Sequence, residues 1–412
     1  MTRTLFAAAA IVSLTFAAHA STLTPLYSFC QKTNCLDGDE PTSPVIMDSA
    51  GNLYGTTRDG GSMDYGVVYE LSYDSVHKKW AEQVLANFSS AGGSGYNPYG
   101  PLILDTAGNL YGTAASTAFN VNNGAGVAYE LIKSQGWKRQ ILYTFCAQAG
   151  CADGDAPSTG LTYFGQSSGA LYDGISPLYG TTPAGGANDD GVVFKLTPKS
   201  GKWSQTTLHS FCSLTDCEDG KNPGALTTDS SGNLLGTTTA KGFSKIFRMS
   251  TQGGEAVLYH FCAKKKCADG DIPIGIVFDA AGNILGADVD QGKKKNGVAF
   301  KLDTHNKFDI LYNFCSQKKC TDGAAAGSLT LDASGDLLGV TGLGGTLAAG
   351  SIFKIAPGGA FTTLYSFCTL TGSCADGYYP ALGLTLDSKG NIYGINTRGG
   401  NNDKGVVYEF TP

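Results

Sequence analysis

The sequence predicts an all-β fold: a seven-bladed β-propeller with four antiparallel strands per blade. Three observations carry this. A unit recurs seven times, most plainly as PVIMDSAGNLYGTTRDGGSMDYGVVYEL at 44–71 and PALGLTLDSKGNIYGINTRGGNNDKGVVYEF at 380–410. Each unit holds four short runs rich in β-branched and aromatic residues, parted by Gly, Asn and Asp, at a period of about 50–66 residues. The chain after its first residues begins on the fourth kind of run and ends on the third, so an N-terminal strand at 23–30 would complete the last blade beside 381–410.

The runs can be taken in order. The first is an apolar stretch ending in or near Asp, as in PVIMD, PLILD and GIVFD. The second is GNLYGTT and its relatives GNLYGTA, PLYGTT, GNLLGTT, GNILGAD, GDLLGVT and GNIYGIN. Asp-x-x-Gly-Asn/Asp between these two suits a tight hairpin, because Gly and Asn tolerate positive φ. The third is GVVYEL, with variants such as GVVFKL and GSIFKI, and the fourth is LYSFC, with variants such as LHSFC and LYNFC. No window shows helical spacing. An open solenoid would need capping repeats, and the terminal units show none.

Residues 1–20 read as an export segment. Arg3 precedes an apolar run from Leu5 to Ala18, and Ala18-His19-Ala20 is an A-x-A cleavage site. The mature chain, 21–412, reads as a single propeller domain without a transmembrane anchor, secreted or periplasmic. Gly is abundant, 57 of 412 residues, as many turns require. The formal net charge of −6 argues against a nucleic-acid partner, which calls for a basic face.

The pattern GNLYGTT, Gly-Gly, GVVYEL, Tyr-x-Phe-Cys and Cys-x-Asp-Gly resembles the bacterial extracellular tandem-repeat family called GloVer, over essentially the whole mature chain. The resemblance implies export and repeats, and no established reaction. A looser similarity is to kelch repeats, through Gly60-Gly61, Tyr69 and Trp80, with Trp137 and Trp203 in the next two units.

The twelve cysteines fall into six local pairs: Cys30–Cys35, Cys146–Cys151, Cys212–Cys217, Cys262–Cys267, Cys315–Cys320 and Cys368–Cys374. Unit two lacks both members, with Ser89 and Gly95 nearby. Paired presence and paired absence in an exported chain points to disulfides. A zinc site would need four ligands, and no His or second pair stands near any of these.

Antiparallel strands alternate direction, so the loop before the first run and the loop between the second and third share one face. The former carries Cys-x-Asp-Gly: Asp37, Asp153, Asp219, Asp269, Asp322 and Asp376. The latter carries Gly-Gly. These aspartates, with Tyr96 and Tyr99 in unit two and Tyr378 and Tyr379 in unit seven, are the candidate binding residues. Aromatics among Asp and Asn suit a glycan or a peptide. The plainer reading of Asp-Gly is turn chemistry that builds every unit.

Catalytic signals are thin. GQSSG at 165–169 matches G-x-S-x-G, but Ser167 does not stand between a strand and a helix. His209 and His260 occupy repeat positions. Asp37-Gly38-Asp39, Asp153-Gly154-Asp155 and Asp269-Gly270-Asp271 suggest calcium, without EF-hand spacing; no other cofactor or metal is indicated. The expectation is a binding or interaction module for a glycan, peptide or envelope partner. A lactonase-like or carbohydrate-active propeller enzyme is the alternative, and a structural coat component a third.

Overall fold

The Asp-x-x-Gly-Asn stretches fold as the hairpins their residues call for. Asp48 accepts from the amides of Ala50 and Asn52 and from the Asn52 side chain, while Gly51 takes φ 85°. In this computed structural model the same turn recurs at Asp105, Asp229, Asp279 and Asp387. The structure describes residues 21–90, 95–115, 126–370, 374–381 and 383–412. Residues 1–20, where the sequence predicts an export segment, lie outside the described residues.

Seven antiparallel sheets form the ring, and no α-helix occurs among the described residues. Blade 1 is built from Asp39–Pro41 with Ile46–Met47, then Leu53–Asp59, Val67–Asp74 and Lys79–Asn87. Blades 2 to 6 follow as 103–144, 161–210, 223–260, 273–313 and 324–366. Blade 7 takes Tyr378–Pro380 with Thr385–Leu386, Ile392–Arg398 and Val406–Thr411, and its outermost strand is Thr22–Ser28 from the start of the chain. Thr22 faces Thr411 and Ser28 faces Val406, with a bulge between Pro25 and Tyr27. Closure thus pairs Val406–Thr411 on both sides and completes the last blade with an outermost strand like its neighbours'.

One refinement concerns the innermost strand. It begins directly after Asp-Gly: Asp39 pairs with Asp59 and Pro41 with Thr57, ahead of the Ile46–Met47 piece. Blades 6 and 7 are split in the same way, into Ala324–Ala326 with Thr330–Leu331 and Tyr378–Pro380 with Thr385–Leu386. Blades 4 and 5 run unbroken through Pro223–Thr228 and Pro273–Phe278.

A glycine and a ring build each sheet. A Cβ on Gly180 would stand 2.5 Å from Phe194 Cζ, and one on Gly55 would stand 2.4 Å from Tyr69 Oη. The glycine of GNLYGTT is thus the seat of the aromatic ring of GVVYEL across the ladder. Blades then pack face to face; Phe29, Tyr69, Tyr393 and Val407, for example, share one core between blades 7 and 1.

All six cysteine pairs are disulfides. Each ties the end of one blade's outermost strand to the loop entering the next blade.

Candidate functional site

The Cys-x-Asp-Gly loop and the Gly-Gly loop do share a face. The Gly61 amide donates to the Cys35 carbonyl at 2.9 Å, and Gly186, Gly292, Gly345 and Gly400 repeat the contact with Cys151, Cys267, Cys320 and Cys374.

The six candidate aspartates lie inside the wall of that face. Asp37, Asp153, Asp219, Asp269, Asp322 and Asp376 are all fully buried. Asp37 accepts from Tyr27 Oη at 2.7 Å and from the amides of Gln31 and Lys32 at 2.9 and 3.1 Å. Tyr143, Tyr259, Tyr312 and Tyr365 serve the equivalent aspartates. His209 takes the tyrosine's place at Asp219, at 3.1 Å. Burial opposes ionisation of Asp219, but the donors from Ser213 and Leu214 outweigh it and hold its carboxyl below the usual range. Burial likewise lowers the His209 pKa, against the pull of Asp219. Each carboxylate links the outermost strand of one blade to the innermost of the next. The Asp37, Asp153 and Asp269 carboxylates considered for calcium point at N–H and O–H donors, which satisfy an anion without a cation.

The tyrosines separate into two groups. Tyr378 donates to Asp403 at 2.9 Å and packs against Tyr379, whose side of the face is open, with Tyr379 46% exposed. Tyr96 packs against Tyr65, 5.1 Å between ring centres, at the blade 1 and 2 seam. Tyr99 lies on the innermost segment of blade 2; burial raises its hydroxyl pKa, with Arg58 opposing and Asp59 reinforcing the shift.

Arg58 leads to a cluster that spacing does not reveal. The carboxylate of Glu40, on the innermost strand of blade 1, is paired with Arg58 from the same blade and with Arg398 from blade 7. Asp39 pairs with Lys404 of blade 7. Arg58 also grips Asp59 at 2.7 Å, and Asn97 of blade 2 donates to the Arg58 carbonyl at 3.0 Å. Both guanidiniums remain over a third exposed, whereas the Glu40 side chain is 8% exposed. Blades 7, 1 and 2 thus bring together two partly exposed arginines, a buried carboxylate and Tyr99, and Tyr379 follows Tyr378, the ladder partner of Arg398, on blade 7. The sequence signal is that Arg precedes Gly-Gly closely only in GTTRDGG and INTRGG, and that Glu stands at this position only in blade 1.

Deeper along the axis the innermost segments carry small residues. A Cβ on Gly100 would stand 2.3 Å from the Gly160 nitrogen, and one on Gly383 would stand 2.5 Å from Pro44. Thr159 and Ser43 bond to Thr181 and Thr56 within their own sheets. Among the described residues, the ionisable groups of these segments sit at their ends.

Ser167 lies in a 3-10 turn, Gln166–Ser168, of the long blade 3 connection, with its hydroxyl 3.5 Å from that of Thr228. No strand-to-helix elbow forms there. Asp190, Cys212 and Cys217 come close together, but both cysteines are in a disulfide and offer no thiolate.

Comparison with known proteins agrees with the repeat. The model of the Gloeobacter/Verrucomicrobia repeat matches residues 7–245 and 239–412. The chain belongs to this family. No curated protein matches it. Among solved structures, an extracellular domain of a hybrid two component system from Bacteroides thetaiotaomicron is similar with a TM-score of 0.56 at 12% identity, over 90% of this chain and 40% of that one. The extracellular domain of a one component system from the same organism gives 0.53 at 11%, over 94% and 40%. A Lactobacillus plantarum protein gives 0.51 at 16%, over 88% and 99%. This chain therefore spans 40% of the length of the two Bacteroides proteins. At these identities the likeness is one of fold. Among the described residues no helix is long and apolar enough to cross a membrane.

Proposed function

We propose that this repeat protein is an exported, non-catalytic binding module. It takes a glycan or peptide on its Asp-Gly face, at the sector formed by blades 7, 1 and 2. The observation that carries the reading is the convergence of Arg58 and Arg398 on Glu40 beside Tyr99, with the exposed ring of Tyr379 next to Tyr378, the ladder partner of Arg398. Half-open guanidiniums suit carboxylate or hydroxyl groups, and the rings suit a sugar face or a peptide side chain. The repeated Asp-Gly carboxylates hold the face rigid beneath it, and Tyr96 and Tyr378 frame it. The six disulfides support an oxidising destination, as the export segment does.

The small residues along the inner segments support binding over catalysis, since a propeller hydrolase needs carboxylates or metal ligands converging from several blades. The test is a glycan array and a peptide array probed with the purified mature chain, then with Arg398→Ala and Tyr379→Ala. A shared set of ligands, lost in both variants, is expected. Silence across both arrays, or hits that both variants keep, would overturn the assignment.

A further inference from the structure

A second site lies on the outer flank of the ring, away from the Asp-Gly sector. Where the N-terminal strand Thr22–Ser28 meets blade 1, a cleft of about 1170 Å³ runs between that strand and the hairpin of Val67–Asp74 and Lys79–Asn87. Two other seams of the ring are closed by stacked aromatic rings. At the seams between blades 4 and 5 and between blades 5 and 6, the outermost strands contribute Phe308 and Phe361. These stack flat on Tyr259 and Tyr312, each with ring centres 4.1 Å apart. In blade 1 the same place holds Glu82, so no ring covers Tyr27 and the seam stays open. Lys264 lies over the Phe308 ring at 5.2 Å, whereas its counterpart Lys32 instead meets Glu82 at 2.6 Å.

The lining is chemically pointed. Tyr73 and Trp80 face each other across the hairpin and meet edge to face at 5.7 Å, with Tyr73 53% exposed. Around these rings stand Lys78, Lys79 and Lys389, all exposed and without an ion pair among the described residues. The Glu82 side chain is 1% exposed, and its Oε1 has no hydrogen-bond partner among the described residues. Lysines thus outnumber carboxylates along a cleft in a chain whose net charge is −6.

We propose that this cleft binds an anionic, uronate-containing glycan. The apolar face of a pyranose ring lies on Tyr73 and Trp80, and its carboxylates meet Lys78, Lys79 and Lys389. An acidic peptide would use the lysines and leave the aromatic floor idle; a neutral glycan would do the reverse. Because the N-terminal strand forms one wall, occupancy fastens the ring at the seam where the chain ends meet.

The test measures binding of the mature protein to an oligogalacturonate by calorimetry. A neutral gluco-oligosaccharide, poly-glutamate and a single-stranded oligonucleotide serve as comparison probes. Preference for the uronate, weakening as salt rises, is expected. Tyr73→Ala and the pair Lys78→Ala with Lys79→Ala should each lower affinity by about threefold to tenfold. Both alter exposed side chains and leave the fold intact, which unchanged near-ultraviolet circular dichroism would verify. The pair Lys199→Ala with Lys202→Ala, on the matching hairpin of blade 3, should leave affinity unchanged. No uronate binding, equal binding of the neutral, peptide or nucleotide probe, or full affinity in the cleft variants would overturn the proposal. None of these outcomes bears on the Asp-Gly sector, which Arg398→Ala tests separately.

Discussion

Asp288 shows how one residue can work against its surroundings. Thr57, Thr182, Thr238 and Thr341 hold one equivalent position on the second strand of blades 1, 3, 4 and 6, where Thr57 accepts from the Val67 amide and donates to the Asp59 carbonyl. Blade 5 has Asp288 there, fully buried, with Oδ2 unpartnered among the described residues. Burial, opposed by backbone donors such as Asp290, pushes its carboxyl from the ordinary 3.8 up to about 8. The folded chain therefore keeps a proton that the unfolded chain loses above pH 4. Stability from this group is fully present below about pH 4 and is lost as pH rises toward 8. Asp288→Thr should remove that slope and raise stability at pH 8 by about 1–3 kcal/mol, the usual cost of a buried unpaired group. Urea midpoints of the two proteins at pH 5 and pH 8 check it; parallel midpoints would contradict it. Asp37 and its five relatives are the opposite case. Their residue type and turn setting suggested a surface, yet every one is buried because the amides after the first cysteine need an acceptor. That demand comes from loop geometry, which spacing does not display.

At the scale of the strand, six blades divide into two kinds, and blade 3 mixes them, with Tyr179 facing Lys195. In blades 7, 1 and 2 a tyrosine on the second strand faces a glutamate on the third: Tyr393 and Glu409, Tyr54 and Glu70, Tyr111 and Glu130. Tyr54 bonds both Glu70 and the turn residue Asp48, and Tyr111 both Glu130 and Asp105. In blades 4, 5 and 6 a leucine replaces the tyrosine, and Arg248, Lys301 and Lys354 reach the turn aspartates themselves, or Asp336 beside one. The turn is satisfied either way, by a phenol in one kind of blade and by a cation in the other. The same division appears in the ring over the glycine. Tyr69, Tyr129 and Tyr408 carry hydroxyls that are buried without a partner among the described residues, where blades 3 to 6 use phenylalanine. Tyr129→Phe should thus be neutral or stabilising by about 1 kcal/mol, while Gly180→Ala should destabilise by about 1–3 kcal/mol by driving into Phe194. Thermal denaturation checks both, and a reversal of the two signs would refute the packing account. The strand order, the hairpins and the cysteine pairs were legible because each rests on residues close in sequence. GVVYEL and GVVFKL were equally visible, but their meaning depends on a partner one strand away.

For the whole molecule, the informative contacts join the two ends of the chain. Glu40 meets Arg398, Asp39 meets Lys404, and Thr22–Ser28 pairs with Val406–Thr411. The strand pairing could be read from the order of runs, because a propeller that starts on its fourth strand has one place to put it. The ion pairs could not, since nothing local relates position 40 to position 398. Both proposed sites flank this one seam, the first on the Asp-Gly face and the second on the outer edge. Closure is therefore the claim on which the rest depends, and hydrogen–deuterium exchange of the mature protein, resolved by peptide, tests it most directly. Amides of 22–28 should exchange as slowly as those of the outermost strand Lys202–Ser210 in blade 3, and removal of residues 21–28 should expose 406–411. Rapid exchange across 22–28 in an otherwise protected protein would contradict the ring.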